Sequence, residues 1–339
     1  MTLLRELASY LRPTRLGAMH WAAKRALEAR GYRWELRRKG ELKLGVLRKS
    51  WIKPGHKRSS ELGIRRLVIL PGLGDSPLSW IPVFGLAQAA VRRSYDEIVY
   101  VDFPGFSGFL AQERSFHSMD LLLDAVFDLL DSLKPDTVLG HSLGGWIAAL
   151  YAAECGKGVR PLSPSGKKMD YEGPRRMLLV LPAGLFEDQS QRERWQDSIA
   201  QFMTDEAGAE WRSHAFHREP LWFRWVAADA RQFLARDDVR QFLKSVRDEH
   251  YLDARIPEIR SETALLWTEH DRLLPLSVGE YWMRRIPNTI HHAILLKGVG
   301  HSPHLENPVA IASVLSRLIS SKKPHRWSSR WWVQLNSTR

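Results

Sequence analysis

The pentapeptide Gly140-His141-Ser142-Leu143-Gly144 constrains this chain more than any other stretch, because of what lies on either side of it. Residues 136–140 (Asp-Thr-Val-Leu-Gly) suit a short buried strand, and the run that begins at Trp146 suits a helix packed on a sheet. A strand followed at once by a helix forces a sharp turn. Glycines at 140 and 144 permit that turn and clear space beside the serine, so the Ser142 hydroxyl is expected to project above the sheet as a nucleophile. The Leu143 N–H, at the start of the helix, is expected to face a developing oxyanion.

A G-x-S-x-G string is also what an ordinary glycine-flanked turn looks like, so its partners decide the reading. A triad on this kind of turn needs an acid and then a histidine downstream. Both follow strand-like runs: residues 263–267 lead into Thr268-Glu269-His270-Asp271, and residues 292–296 lead into Lys297-Gly298-Val299-Gly300-His301. Asp271 and His301 are therefore expected on loops at the carboxyl edge of a parallel sheet, where open α/β folds place their chemistry. Glu269 is the fallback acid if the turn is shifted by one side-chain direction. Upstream, residues 66–70 run into Pro71-Gly72-Leu73-Gly74-Asp75-Ser76, whose Leu73 N–H is the expected second oxyanion donor. Residues 98–102 run into Phe103-Pro104-Gly105-Phe106-Ser107-Gly108, aimed at the same edge.

Together these five segments resemble the α/β-hydrolase superfamily over about residues 60 to 320, and within it the capped serine esterases and lipases, including bacterial family V lipases and monoacylglycerol lipases. The resemblance implies an α/β fold with a mostly parallel central sheet, flanking helices and a helical cap inserted after the sixth strand. It also implies Ser142 as nucleophile, His301 as general base, Asp271 as orienting acid, and Leu73 and Leu143 as oxyanion donors. Pro71 stands where many relatives carry a histidine before the oxyanion-loop glycine.

The expected organisation is a basic amphipathic helical segment at 1–31, core at 32–183, cap at 184–256, core again at 257–320, and a basic Trp-rich tail at 321–339. Residues 32–36 and 42–47 alternate as a hairpin through Lys39-Gly40. His291 and His292 are expected to begin the last strand. The stretch 156–174, rich in Gly, Pro, Ser and Lys, reads as a mobile surface loop away from the catalytic edge. The 184–256 segment leaves the sheet on that edge and carries many aromatics. Most hold the segment together, while Trp222, Phe223 and Phe106 are the expected pocket lining, which suits a hydrophobic acyl group.

Charge is unevenly placed. Residues 1–66 hold 18 Lys/Arg against 5 Asp/Glu, whereas residues 67–319 hold 27 against 33. Leu3, Leu4, Leu7, Ala8 and Leu11 follow helical spacing, as do Trp21, Arg25 and Glu28. Two readings of the basic ends stay open: a helix and tail packed on the core, which is favoured, or a peripheral contact with an anionic membrane. Nucleic-acid binding has no recognition motif to support it. No run approaches the ~18 apolar residues of a transmembrane helix, and no secretory leader is visible, so a cytoplasmic protein is expected, peripheral at the inner membrane face only under the second of those readings. The single cysteine, Cys155, excludes an intrachain disulfide and is expected in the core. His141 is expected to be structural, with His304 near the site. No ligand set at metal-binding spacing appears, so no metal and no cofactor are expected.

The expected chemistry is hydrolysis of short- to medium-chain acyl esters through an acyl-enzyme. The same triad also serves carbon–carbon bond hydrolysis or cofactor-free perhydrolysis, because fold and triad do not fix the substrate. A hydrolase-like scaffold that only binds a partner is the non-enzymatic alternative.

Overall fold

A computed structural model describes residues 15–52, 63–104, 118–157, 171–203, 210–286, 290–321 and 333–336. Helix α1 (Arg15–Ala29) precedes an antiparallel hairpin of β1 (Arg33–Lys39) and β2 (Leu42–Ser50). Lys39 pairs with Leu42, leaving Gly40-Glu41 as a two-residue turn in which Gly40 takes φ 55°. β1 forms one edge of the sheet, and Arg33, Glu35, Arg37, Arg38 and Lys39 discourage further pairing there.

The other strands are β3 (Arg66–Leu70), β4 (Glu97–Asp102), β5 (Thr137–His141), β6 (Arg176–Val180), β7 (Glu262–Thr268), β8 (Ile290–Lys297) and β9 (Val333–Asn336). Among the described residues they complete a nine-stranded sheet in the order β1-β2-β4-β3-β5-β6-β7-β8-β9, in which β2 alone runs against the rest. β4 and β5 are buried along their whole length, as expected of strands covered on both faces, and their inner residues, Ile98 to Val101 and Val138-Leu139, are apolar for that reason.

Helices α2 (Pro77–Leu86) and α3 (Gln88–Ser94) follow β3, α4 (Met119–Leu133) precedes β5, and α5 (Leu143–Gly156) follows it. Between β6 and β7 lie α6 (Gln189–Met203), α7 (Glu210–Ala215), a 3₁₀ turn (Leu221–Trp225), α8 (Ala227–Leu234) and α9 (Asp237–Lys244). Then come α10 (Leu276–Arg285), α11 (Pro303–Glu306) and α12 (Pro308–Ser320). Nearly every residue of α5 is buried, which suits its apolar sequence and places Cys155 in the core. The segment between β6 and β7 has a small apolar cluster of its own, with Phe216, Phe223, Val226, Phe233 and Val239 at its centre.

The order of the strands decides where chemistry is placed. From β3 the chain crosses to β4 on one side, then returns to put β5 on the other side of β3. A crevice opens outside the carboxyl ends at such a switch point. The loop after β3, with Leu73 and Asp75, and the turn after β5, with Ser142, are its two walls.

One difference from the sequence reading stands out. β9 adds a strand beyond β8, from within the stretch expected as a tail, by pairing Val333 with Ile294 and Asn336 with Lys297. Trp327, Trp331 and Trp332 lie outside the described residues, as do Leu3, Leu4, Leu7, Ala8 and Leu11 and most of the 156–174 stretch. The described ends of that stretch are anchored: Gly156 closes α5, and the Tyr171 hydroxyl donates to the Pro135 carbonyl at 2.7 Å. Among the described residues, no helix is long and apolar enough to cross a membrane.

Candidate active site

Ser142 sits at the turn between β5 and α5 with φ 50° and ψ −114°, a conformation L residues rarely adopt. Holding it costs on the order of 1–3 kcal/mol, which the surroundings must over-determine. They do so through backbone bonds: the Ser142 N–H donates to the Val180 carbonyl at 3.0 Å, and its own carbonyl accepts from Trp146 and Ala183. The flanking glycines serve close approach rather than left-handed backbone. A Cβ on Gly140 would stand 2.4 Å from the Gly144 carbonyl oxygen, and one on Gly144 would stand 2.3 Å from the Leu70 carbonyl oxygen. Only glycine lets the helix start so near β3 and β5.

The three residues singled out from the sequence meet in space. His301 Nε2 is 3.0 Å from Ser142 Oγ, and His301 Nδ1 is 2.7 Å from Asp271 Oδ2. The Asp271 side chain is fully buried, and its other oxygen accepts the Leu273 and Leu274 N–H groups at 2.8 Å each. Every lone-pair direction that matters is thus fixed, and the carboxylate aims at the imidazole. Glu269 points elsewhere: its carboxylate accepts the Gly298 N–H and lies 3.5 Å from His270. Leu143 is the first residue of α5, so its N–H has no partner within the helix, and both Leu73 and Leu143 line the cavity that holds Ser142.

That cavity measures about 650 Å³. Trp222 and Phe223 line it, as expected, the first half exposed and the second buried; Phe106 lies outside the described residues. Other wall residues were missed. α1 contributes Met19, His20, Ala23 and Leu27. The spacing of Trp21, Arg25 and Glu28 picks out a different face, on which Arg25 and Glu28 form an ion pair at 3.1 Å. The signal for the wall was the i, i+4, i+8 series Met19, Ala23, Leu27, weakened by the small alanine. Burial lowers the pKa of His20 to about 4, so it is neutral in the wall at pH 7.

Behind Ser142, His301 and Asp271 lies a second polar cluster that chain spacing does not reveal. His141, expected to be structural, is buried, and its Nε2 meets the His301 backbone carbonyl at 2.9 Å. His304 stacks on Trp80 with ring centroids 4.4 Å apart. The Asp75 carboxylate accepts the Trp80 indole N–H at 2.9 Å and stands 3.2 Å from His304 Nε2, out of line for a hydrogen bond. Burial opposes the charge on Asp75, but the attraction of His304, then of His141, outweighs it and lowers the carboxyl pKa. Burial also drives the His141 pKa well down, helped by the neighbouring His304 and His301, which keeps that ring neutral. The ligand atoms of Asp75, His141 and His304 lie within 4.8 Å of one another. One carboxylate and two imidazoles are donors of the right kind for a zinc-like cation, brought together from the loop after β3, the end of β5 and the short helix α11. Spacing along the chain could not show that set. Another cluster, Asp120, Glu249 and His250, already has both carboxylates bonded to Arg247.

A further clamp joins the loop of His301 to the segment above it. Glu306 accepts the Gly300 N–H at 2.8 Å with one oxygen and the His217 and Arg218 N–H groups at 3.2 and 2.9 Å with the other. Burial raises its pKa, and the three backbone donors oppose the rise. The Ser302 N–H also donates to the Ala215 carbonyl, so residues 215–218 are stapled to the loop that carries His301.

Comparison with known proteins agrees with this layout. The chain is 22% identical over 296 residues to monoacylglycerol lipase abhd6-B of Xenopus laevis, covering 79% of this chain and 77% of that one. It is 24% identical over 249 residues to a 2-hydroxy-6-oxononadienedioate/2-hydroxy-6-oxononatrienedioate hydrolase of Paraburkholderia phymatum, covering 70% and 81%. Its fold is similar to that of a membrane phospholipase A described as a bacterial virulence factor, with a TM-score of 0.61 at 20% identity over 94% of this chain and 95% of that one. The family model described as alpha/beta hydrolase family matches residues 67–314, which span β3 to α12 and include Ser142, Asp271 and His301. The chain belongs to the alpha/beta hydrolase family.

Proposed function

We propose that this protein is a serine hydrolase that cleaves carboxylic esters of hydrophobic acyl groups. The observation that carries the reading is the unbroken line Ser142 Oγ, His301 Nε2, His301 Nδ1, Asp271 Oδ2, at 3.0 and 2.7 Å, opening into a 650 Å³ cavity walled largely by apolar side chains. His301 Nε2 takes the Ser142 proton as Oγ bonds to the ester carbonyl carbon. The carbonyl π pair moves onto oxygen, where the N–H groups of Leu73 and Leu143 receive the negative charge. Asp271 holds the Nδ1–H tautomer and stabilises the imidazolium. Collapse breaks the bond to the leaving oxygen, which takes the proton from Nε2. Water then gives a proton to His301 and its oxygen to the acyl carbon, releasing the acid and restoring Ser142. We assign the segment between β6 and β7 as the cap that covers this site, since Phe216, Phe223 and Val226 line the cavity.

The volume lies within the ~300–1,000 Å³ of sites that enclose drug-sized ligands, far more than an acetyl group fills. The wall favours an acyl chain over a dicarboxylate such as the one in the name of the Paraburkholderia relative, and carbon–carbon hydrolysis is the second reading that this likeness raises. A panel of p-nitrophenyl esters of increasing chain length, run beside a ring-fission diketone, tests both. The expected result is ester turnover with kcat/KM rising beyond acetate. Turnover of the diketone alone would assign the carbon–carbon reaction instead.

A further inference from the structure

The cavity does not close at its outer end. Met19 and Trp222 line it and are nevertheless 41% and 47% exposed, so the mouth has an apolar rim. Beside Trp222, in the same 3₁₀ turn, Leu221 and Trp225 are 76% and 73% exposed, the two most exposed large apolar side chains among the described residues. The turn is not a loose flap. Phe223, between them, points inward against Phe216 with ring centroids 4.7 Å apart, and Val226 joins the same buried cluster. Inward anchoring of Phe223 is what fixes Leu221, Trp222 and Trp225 outward.

Charge accompanies the exposed side chains. Residues 212–231 carry four arginines against Glu219 and Asp229, and Arg218, just before the turn, and Arg224, within it, are exposed. Glu219 bonds Arg212 at 3.0 Å and stands 3.6 Å from Arg224, whose side chain is 64% exposed. An apolar tip with exposed Arg218 and Arg224 beside it matches an anionic lipid surface: Trp and Leu enter the headgroup boundary while guanidinium groups stay with phosphates. A stable protein interface needs about 800 Å² on each side from roughly 20–30 residues, which one 3₁₀ turn does not offer.

We propose that the face formed by Leu221, Trp222 and Trp225, with Arg218 and Arg224, docks on an anionic lipid bilayer and admits an acyl ester from it, past Trp222, into the cavity beside Ser142. The docking step stands on the surface alone, and the delivery step rests on the ester-hydrolase reading above. Association is peripheral and reversible, and salt weakens it because the arginines are screened.

The test uses the full chain, vesicles of phosphatidylcholine with or without phosphatidylglycerol, and the variants Leu221→Ser/Trp225→Ser and Arg224→Glu. Neither Leu221 nor Trp225 lines the cavity. Wild type is expected to co-sediment more strongly with phosphatidylglycerol vesicles, and less so at high salt. The double variant is expected to lose roughly tenfold or more in vesicle affinity, from the loss of two inserted side chains. Its kcat/KM on a soluble short-chain p-nitrophenyl ester is expected to stay within about twofold of wild type, while turnover of a long-chain ester presented in vesicles falls with the binding. Arg224→Glu is expected to weaken binding to the anionic vesicles alone, and serves as the independent variant if the double one melts early. Equal co-sedimentation of wild type and a folded variant overturns the proposal, as does no preference of wild type for anionic vesicles. A change in elution volume from dimer to monomer, with vesicle binding intact, overturns it in favour of a second copy of this chain. Absence of any ester turnover in wild type, with vesicle binding still lost in the variant, would fault the catalytic reading and leave the docking face standing.

Discussion

At the scale of single residues, the site rests on side chains whose directions are fixed from behind. Asp271 accepts two backbone N–H groups with one oxygen and aims the other at His301, whereas Glu269, two positions earlier, faces Gly298 and His270. Asp271→Asn is therefore expected to lower kcat by about 10⁴, the scale seen when a triad histidine loses the carboxylate that sets its tautomer. Glu269→Gln is expected to change kcat less than about threefold, the scale of a surface substitution. Steady-state rates on one soluble ester compare them, and a larger loss in the Glu269 variant would reassign the acid. The positions of Ser142, Asp271 and His301 were legible in the sequence because each follows an apolar run long enough to read as a buried strand. Asp75 was not, and His304 was read only as lying near the site, because the cluster they form with His141 joins segments far apart in the chain.

At the scale of elements, the strands between Arg66 and Lys297 were legible to within one or two residues, since buried parallel strands leave continuous apolar runs. The short edge strand β9 left no such run. What no pattern showed is how residues 215–218 are held to the His301 loop. The Glu306 carboxylate satisfies three backbone donors there, and an amide offers one acceptor and one donor in its place. Glu306→Gln is expected to destabilise the fold by about 1–3 kcal/mol through a donor left facing a donor. It is also expected to lower kcat/KM, because Gly300 precedes His301. Urea unfolding and steady-state kinetics on the same preparation check this, and unchanged values in both would mean the clamp does not hold the loop.

At the scale of the whole molecule, the family match begins at residue 67, yet α1 lies outside it and walls the cavity. Packing of the basic N-terminal segment on the core was the favoured reading of its sequence, with an anionic membrane surface as the other, and the described helix α1 lies along the cavity. The apolar series that faces the cavity was less conspicuous. One consequence concerns acid stability. Burial lowers the His20 pKa from 6.5 to about 4, so between these values the unfolded chain binds the proton and the folded chain does not. Stability is fully present above pH 6.5 and is lost as pH falls toward 4, by about 3 kcal/mol at most from this group. His141, buried and neutral, acts in the same direction. His20→Gln is expected to flatten part of the decline in Tm between pH 6.5 and 4, leaving the share of His141. Thermal melts across that range measure it, and a decline as steep as wild type would show that His20 is not buried in its neutral form.

The central claim, that Ser142 attacks the ester, is tested most directly by covalent labelling. After incubation with a fluorophosphonate, mass spectrometry of peptides from wild type is expected to place one adduct on Ser142, with ester turnover falling in proportion to labelling. A folded Ser142→Ala variant is expected to take no adduct and to turn over no ester. Near-wild-type turnover in that variant, or an adduct on another residue that accounts for the lost activity, would contradict the account.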